Sequence, residues 1–379
     1  MFFARAQWFL LMLAASGECG VWAQSQDVVK LRGNLSILNN DNFFSAPVGA
    51  VSERITSQTI GVNVAVPYSL QRFEFDASLV GTQHQTYTNF DFVAQNYNAA
   101  WLWSVTPQLH GSLSTVRTES LNATADSLNS NLRNKNITDN AALSAIFELG
   151  GPWQVTAGVA NNSSTNEQAL TNQSDNRSTG VIGGVRYSVG SGSSLAYSLQ
   201  RASGTSINDY TSTTHDVAVA WVLSGNSTVN GHIAYLEQHF GVVPQFDFSG
   251  TSGALTLVWR ATGRVSVSAG WQRDLASYQT AGTTHTQTDA FTLAPAWQIT
   301  TKTSLRLQYR EAVRDDRGNP TGVPASRQDR TRDTSLSLSW QPRPAATLAV
   351  TIGENSRSSN VVNTDFIAHT AGLSAVFTF

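Results

Sequence analysis

Phe366-Ile367-Ala368-His369-Thr370-Ala371-Gly372-Leu373-Ser374-Ala375-Val376-Phe377-Thr378-Phe379 is the stretch whose reading decides the fold. Ile367, Ala371, Leu373, Ala375, Phe377 and Phe379 share one parity. Thr370, Gly372, Ser374 and Thr378 share the other, with Val376 the one apolar exception. A period of two is that of an extended strand, here with one apolar and one small polar face. Such a strand, ending flush on an aromatic residue, predicts the closing strand of a transmembrane β-barrel. The alternative is a C-terminal edge strand of a soluble sandwich.

Working back along the chain, the same alternation returns. Ile60, Val62, Val64 and Val66 precede a turn at Pro67-Tyr68-Ser69, and Phe73, Phe75, Ala77 and Leu79 follow it, with Arg72, Glu74, Asp76 and Ser78 interleaved. Leu143, Ala145, Phe147 and Leu149 lead to Gly150-Gly151-Pro152, then Trp153, Val155, Ala157 and Val159. Further turns are expected at Thr106-Pro107, Gly190-Ser191-Gly192, Ser224-Gly225-Asn226, Ala261-Thr262-Gly263, Thr300-Thr301-Lys302 and Gln341-Pro342-Arg343-Pro344. Longer polar connections are expected near 40–53, 82–89, 117–139, 161–177, 203–213, 238–248, 277–288, 312–330 and 356–364. Short turns at one rim and long loops at the other is the outer-membrane arrangement, with the short turns in the periplasm. The spacing predicts an all-β, antiparallel outer-membrane barrel of roughly 18 strands, 16 being the other even count.

Trp103, Trp221, Trp259, Trp297 and Trp340 each close a strand before a short turn on its apolar parity, and Trp153 stands beside another turn. With Phe377 and Phe379 they are expected to form a periplasmic aromatic girdle, where amphipathic rings favour the headgroup level. Tryptophans repeating at this interval also suggest a propeller. The runs between turns argue against it: each is about as long as one tilted membrane strand. At the opposite rim Arg201, Glu237, Arg273 and Glu311 have outward parity, placed either against the outer leaflet or in water above it.

The N-terminus fits the same compartment. Arg5, the apolar run Trp8 to Ala15 and the exit Val21-Trp22-Ala23 predict a signal peptide over residues 1–23, leaving 24–379 as one barrel domain. Cys19 suggests a lipoprotein anchor instead, but Glu18 precedes it where a small residue is wanted. Net charge is −2 with 13% charged residues, so no basic field recruits nucleic acid. Mean hydropathy is −0.18, as expected where only alternate residues meet lipid.

No catalytic group is expected. There is no G-x-S-x-G elbow; Gly250-Thr251-Ser252-Gly253 is the nearest approach. His369 has lipid parity without a serine or acid in register, and His110 and His215 lack ligand spacing. Asn39 to Asn42 and Asp315 to Asn319 read as turn chemistry rather than calcium loops, so neither a metal nor a cofactor is expected. The inner parity is the informative one. Arg72, Glu74, Asp76, Asn96, Asn98, Arg186, Asp216, Arg306, Gln308, Arg310 and Asp333 are expected to line a wet lumen. Arginines gather from Arg306 to Arg332, lining the lumen or neutralised by Asp315, Asp316, Asp329 and Asp333.

The order of Asp41-Asn42-Phe43-Phe44, Thr59 to Leu79, Phe246 to Arg264, Trp271-Gln272-Arg273-Asp274, Arg357 to Asn360 and the terminal strand resembles the EpsL-type outer-membrane proteins of exopolysaccharide operons. Phe43 stands where an arginine is expected in close relatives. The resemblance implies a part in exopolysaccharide biosynthesis or export. The chain would then be a polar-lined conduit or an accessory component. Its partners would be the polysaccharide chain, outer-membrane lipid and lipopolysaccharide, the barrel-assembly machinery and periplasmic polysaccharide-export proteins. A small-solute porin and an outer-membrane enzyme acting on lipid or glycan are the alternatives.

Overall fold

A computed structural model describes residues 28–122, 133–168, 175–190, 192–280, 282–322 and 327–379. The signal peptide expected over 1–23, with Cys19, lies outside them, as does Ser191 of an expected turn. Eighteen strands form one sheet. The first six are β1 (Val29–Asn40), β2 (Glu53–Tyr68), β3 (Gln71–His84), β4 (Phe92–Thr106), β5 (Leu109–Leu121) and β6 (Lys135–Gly150). Then come β7 (Trp153–Asn166), β8 (Asn176–Val189), β9 (Ser193–Thr205), β10 (Asp209–Ser224), β11 (Ser227–Phe240) and β12 (Phe248–Arg260). The last are β13 (Val265–Thr280), β14 (Thr283–Gln298), β15 (Thr303–Arg317), β16 (Gln328–Arg343), β17 (Ala346–Ser359) and β18 (Phe366–Thr378). Each pairs antiparallel with its chain neighbours, and β1 pairs with both β2 and β18, so the sheet closes on itself. At the seam Leu31 and Phe379 exchange both main-chain hydrogen bonds at 2.8 Å.

The alternation explains the closure. Residues opposite each other in an antiparallel ladder share a face. Ile60, Val62, Val64 and Val66 stand opposite Leu79, Ala77, Phe75 and Phe73. Phe75 and Phe73 in turn face Ala99 and Trp101 of β4. The apolar parities therefore merge into one belt, and it is the exposed one: Ile60, Leu79, Leu113, Ile233, Leu255 and Leu373 all stay at least 46% accessible. That face is convex and meets lipid; the other lines the interior. His215, on the outer parity within the belt, has its Nδ1 bonded to the Tyr197 hydroxyl at 2.9 Å, which keeps a polar ring satisfied where water is scarce.

Two glycines are fixed by a neighbouring main-chain carbonyl, that of Ser144 at Gly111 and that of Arg177 at Gly204, together with an aromatic ring. An added Cβ at Gly111 would lie 2.5 Å from the Trp103 indole, which lies across it on the outer face. One at Gly204 would lie 2.7 Å from the Tyr210 ring on the inner face.

Several expected connections are shorter than their sequence suggests. The loop expected at 203–213 is Ser206 to Asn208, and that expected at 277–288 is reduced to the two residues between β13 and β14, of which 281 lies outside the described residues. The loop expected at 117–139 is 122–134, of which 123–132 lie outside the described residues. The loop expected at 312–330 is 318–327, of which 323–326 lie outside the described residues. The strands here run 12 to 16 residues, beyond the 9–11 or so that cross hydrocarbon. Where a strand rises above the lipid both faces are polar, so the ladder continues after the alternation has stopped.

Candidate functional site: a polar lumen and its loop-side rim

All the predicted lining residues lie on the inner parity. Arg72, Glu74 and Asp76 stand opposite Leu102, Ala100 and Asn98, with Asn96 opposite Ser78. Arg72 Nε lies 2.7 Å from Glu74 Oε1. Asn96 Oδ1 accepts the Glu119 main-chain N–H at 2.8 Å. Arg186 Nη2 donates to Ser194 Oγ at 2.9 Å. Asp216 Oδ2 meets His232 Nδ1 at 2.8 Å. Asp333 lies 3.9 Å from Arg310 Nη1 and accepts from Asn355. Arg306 stands opposite Ser337 and Ala296. It and Gln308 are exposed in the short-turn half of β15 although their parity is inward. A side-chain-filled barrel would bury them; a barrel of about this strand number leaves an aqueous channel.

The expected arginine cluster resolves into pairs. Arg314 Nη2 lies 3.3 Å from Asp316, Arg317 Nη2 2.8 Å from Asp315 and Arg327 Nη2 2.8 Å from Asp329. Arg306 is the member without such a partner among the described residues. Arg32 and Asn63 were not expected at the lumen. Arg32 folds over Gly61, where a Cβ would be 2.6 Å from its Nε, to reach Asp76. Asn63 donates to Asp76 at 3.4 Å. The clue was available: a glycine on the inner parity opposite a long cation leaves room for it.

Burial is uneven along the barrel axis. Phe90, Phe240, Phe248, Leu275, His84, Gln238, Thr284, Asp329 and Phe366 are buried, and all sit at the long-loop end of their strands. Phe240, Phe248 and Leu275 form a small apolar core with Tyr210, Leu236, Val243 and Phe246 packed on it. Phe43, Phe44, Tyr87 and Phe90 form a second aromatic cluster, ring centroids 4.7 to 6.0 Å apart. Large buried side chains gather at the loop-side end, whereas among the described residues those buried at the short-turn end are the small pair Ser193 and Ser194 at the start of β9.

What docks the loops is a repeated aspartate. Asp91, Asp175, Asp247 and Asp365 each directly precede a descending strand. Each accepts the main-chain N–H of the last residue of the ascending strand: His84 at 2.6 Å, Asn166 at 2.8 Å, Phe240 at 2.7 Å and Ser359 at 2.7 Å. Two of these loops are near copies. Each has a one-turn 3-10 helix, Thr88–Phe90 or Pro244–Phe246, followed by Asp and then Phe. Asp41 does the same job at the seam, accepting His369 N–H at 2.6 Å and His369 Nδ1 at 2.8 Å. That main-chain donor, with the ring beside it, holds the Asp41 carboxyl below the usual carboxylate range.

The girdle residues occupy the other rim. Trp153, Trp221, Trp259, Trp297 and Trp340 are about half exposed on the outer face, and Phe379 is more so. Trp103 is more covered because it lies on Gly111. Trp153 meets Tyr187 edge-on at 4.8 Å, and Phe73 stacks on Trp101 at 6.1 Å.

No family model matches the chain, and no curated protein does. Solved structures match over nearly its whole length. Pseudomonas aeruginosa OpdK with vanillate superposes with a TM-score of 0.55 at 12% identity, covering 93% of this chain and 99% of that one. P. aeruginosa OccK2 (OpdF) in complex with glucuronate gives 0.56 at 12%, covering 93% and 98%. A BenF-like porin from Pseudomonas fluorescens Pf-5 gives 0.55 at 9%, covering 94% and 100%. At these identities the likeness is one of fold: a closed antiparallel barrel of 18 strands, shared with outer-membrane porins.

Proposed function

We propose that this chain is an outer-membrane diffusion channel for small polar solutes. The observation that carries the reading is the exposure of Arg306 and Gln308 on the inner face of a closed barrel. A wall of paired charges, amides and hydroxyls offers weak, repeated hydrogen bonding, which lets a solute enter and still leave. Passage requires no covalent chemistry. Two fold neighbours were solved with vanillate and glucuronate, both carboxylates; Arg306 would favour acidic solutes here.

The test is conductance in planar bilayers by the purified, folded protein. Stable single-channel steps are expected, and Arg306→Ser with Arg310→Ser should shift selectivity toward cations while leaving folding unchanged. A folded protein that passes no ions refutes the channel.

A second reading follows the EpsL-type resemblance: a conduit or accessory part for exopolysaccharide, working with periplasmic export proteins. The amides interleaved with the charge pairs, Asn63, Asn96, Asn98 and Gln308, support it by offering a sugar chain neutral hydrogen-bonding steps. Deleting the gene separates the two. Lost surface polysaccharide with periplasmic accumulation supports the conduit; normal polysaccharide with reduced solute uptake supports the porin.

A further inference from the structure

Around the loop-side rim of the outer face most cations are neutralised within the chain. Arg273 pairs with Asp289 at 2.7 Å, and Arg332 and Arg330 with Glu311 at 2.9 and 3.7 Å. Arg117 and Lys135 both meet Glu119 at 3.0 Å. Arg54 has no acid partner among the described residues, but its Nε is occupied, donating to the Asn39 amide oxygen at 2.9 Å. Arg177 on β8 and Arg201 on β9 break the pattern: both are exposed, and neither makes a side-chain hydrogen bond, ion pair or ring contact among the described residues.

Their position is specific. Arg201 stands opposite Val181 and Thr213, and Arg177 opposite Ser163 and Thr205. Toward the membrane the same face carries Val159, Val181, Tyr197 and Leu199, all exposed. Away from it the face turns to Thr179, Ser203 and Thr211. Arg201 therefore lies where the apolar belt ends, with Arg177 further toward the loops. The acids nearest in register are Asp175, two residues before Arg177 and occupied by the Asn166 main-chain and side-chain N–H groups, Asp209, which accepts from the Thr205 hydroxyl at 2.6 Å, and Glu237, which stands opposite Thr213; none makes an ion pair with Arg177 or Arg201 among the described residues.

An unpaired guanidinium at a hydrocarbon boundary is poorly served by water on one side, and its planar fork matches a phosphate. We propose that Arg177 and Arg201 bind the phosphates of a phosphorylated glycolipid of the outer leaflet, lipopolysaccharide, with its acyl chains along Val159, Val181, Tyr197 and Leu199. This rests on the outer-membrane reading with the long loops outside.

The full chain, folded in detergent, is incubated with deep-rough lipopolysaccharide carrying both lipid A phosphates, and the retained glycolipid is counted by native mass spectrometry. R177Q/R201Q should retain about tenfold less than wild type, as expected for loss of charge-assisted bonds. R330Q/R332Q, whose arginines already serve Glu311, should retain as much as wild type. Dephosphorylated lipopolysaccharide should bind wild type as weakly as the intact glycolipid binds R177Q/R201Q, and excess inorganic phosphate should not displace it. Equal loss in both variants, or retention independent of the phosphates, overturns the proposal. The single variants R177Q and R201Q, each losing part of the binding, carry the test should the double variant not fold. Conductance of R177Q/R201Q should equal that of wild type, so failure of the lipid site and failure of the channel are read separately.

Discussion

Replacing Asp247 by alanine tests how the loops are held. Asp247 Oδ1 accepts the Phe240 N–H at 2.7 Å, and Oδ2 meets His239 Nδ1 at 2.9 Å. Phe240 is 2% exposed, packed with Phe248 and Leu275. Without the carboxylate its N–H faces an apolar neighbourhood. A hydrogen bond to a charged group contributes about 1.5–3 kcal/mol, and an unmade buried donor costs about 1–3 kcal/mol. These describe one loss from two sides, so the expected destabilisation is about 2 kcal/mol rather than their sum. The His239 contact is exposed and adds little. Asp247→Asn keeps an acceptor without the charge and should cost about half as much. Urea unfolding in lipid vesicles, followed by tryptophan fluorescence, measures the difference. Amide exchange at Phe240 locates it. If Asp247→Ala lies within about 0.5 kcal/mol of the surface control Gln245→Ala, and Phe240 exchange is unchanged, the loop-docking argument is wrong.

Gly111→Val should drive a side chain into the Ser144 carbonyl of the neighbouring strand and into the Trp103 ring, 2.5 Å from where its Cβ would lie; a cost of about 1–3 kcal/mol should appear in the same urea assay, and a neutral result would refute the close approach of strand and ring at Gly111. Deleting Phe379 removes both main-chain bonds to Leu31 and the terminal ring, so the heat-modifiable band on gels should weaken while export across the inner membrane persists. An epitope tag at Gly49 should be labelled on intact cells and one at Gly151 should not; the converse pattern means the barrel is inverted. The Asp41 carboxyl, held low by the His369 main-chain donor, should contribute stability that is fully present above the unfolded value of about 3.9 and lost as pH falls through its lower folded value. Wild type and Asp41→Asn should therefore differ at pH 5 and converge in stronger acid, with a constant difference counting against that carboxylate.

The strands were legible because lipid demands an apolar residue at every second position, and Ile60 to Leu79 cannot be read as anything but a hairpin. The inward residues followed from the same parity, so Asp76, Arg306 and Asp333 could be placed without coordinates. The tops of β9, β10, β13 and β14 were not legible. Above the lipid, Ser203 to Thr211 and Thr283 to Thr288 are polar on both faces, and period-two reading sees a loop where the ladder continues. The apolar core of Phe240, Phe248 and Leu275 was missed for a related reason: a rule that makes the inner face polar has no place for loops that pack into the mouth. Phe90-Asp91-Phe92 and Phe246-Asp247-Phe248 were the available clue, since the same three residues twice lead into a descending strand, the second Phe opening it.

The seam has one more consequence. Val28 is tied to Ala65 at 2.9 Å, and Phe379 is bonded to Leu31, so the two ends of the described barrel are neighbours on the short-turn rim. A few residues of linker would join them without disturbing any strand, and the chain could then be reopened between Gly150 and Gly151. Such a circular permutant would keep every ladder while burying Phe379 inside the sequence and presenting a different last strand. A permutant that refolds in vesicles but stalls in cells would show that the order of the hairpins serves delivery rather than stability.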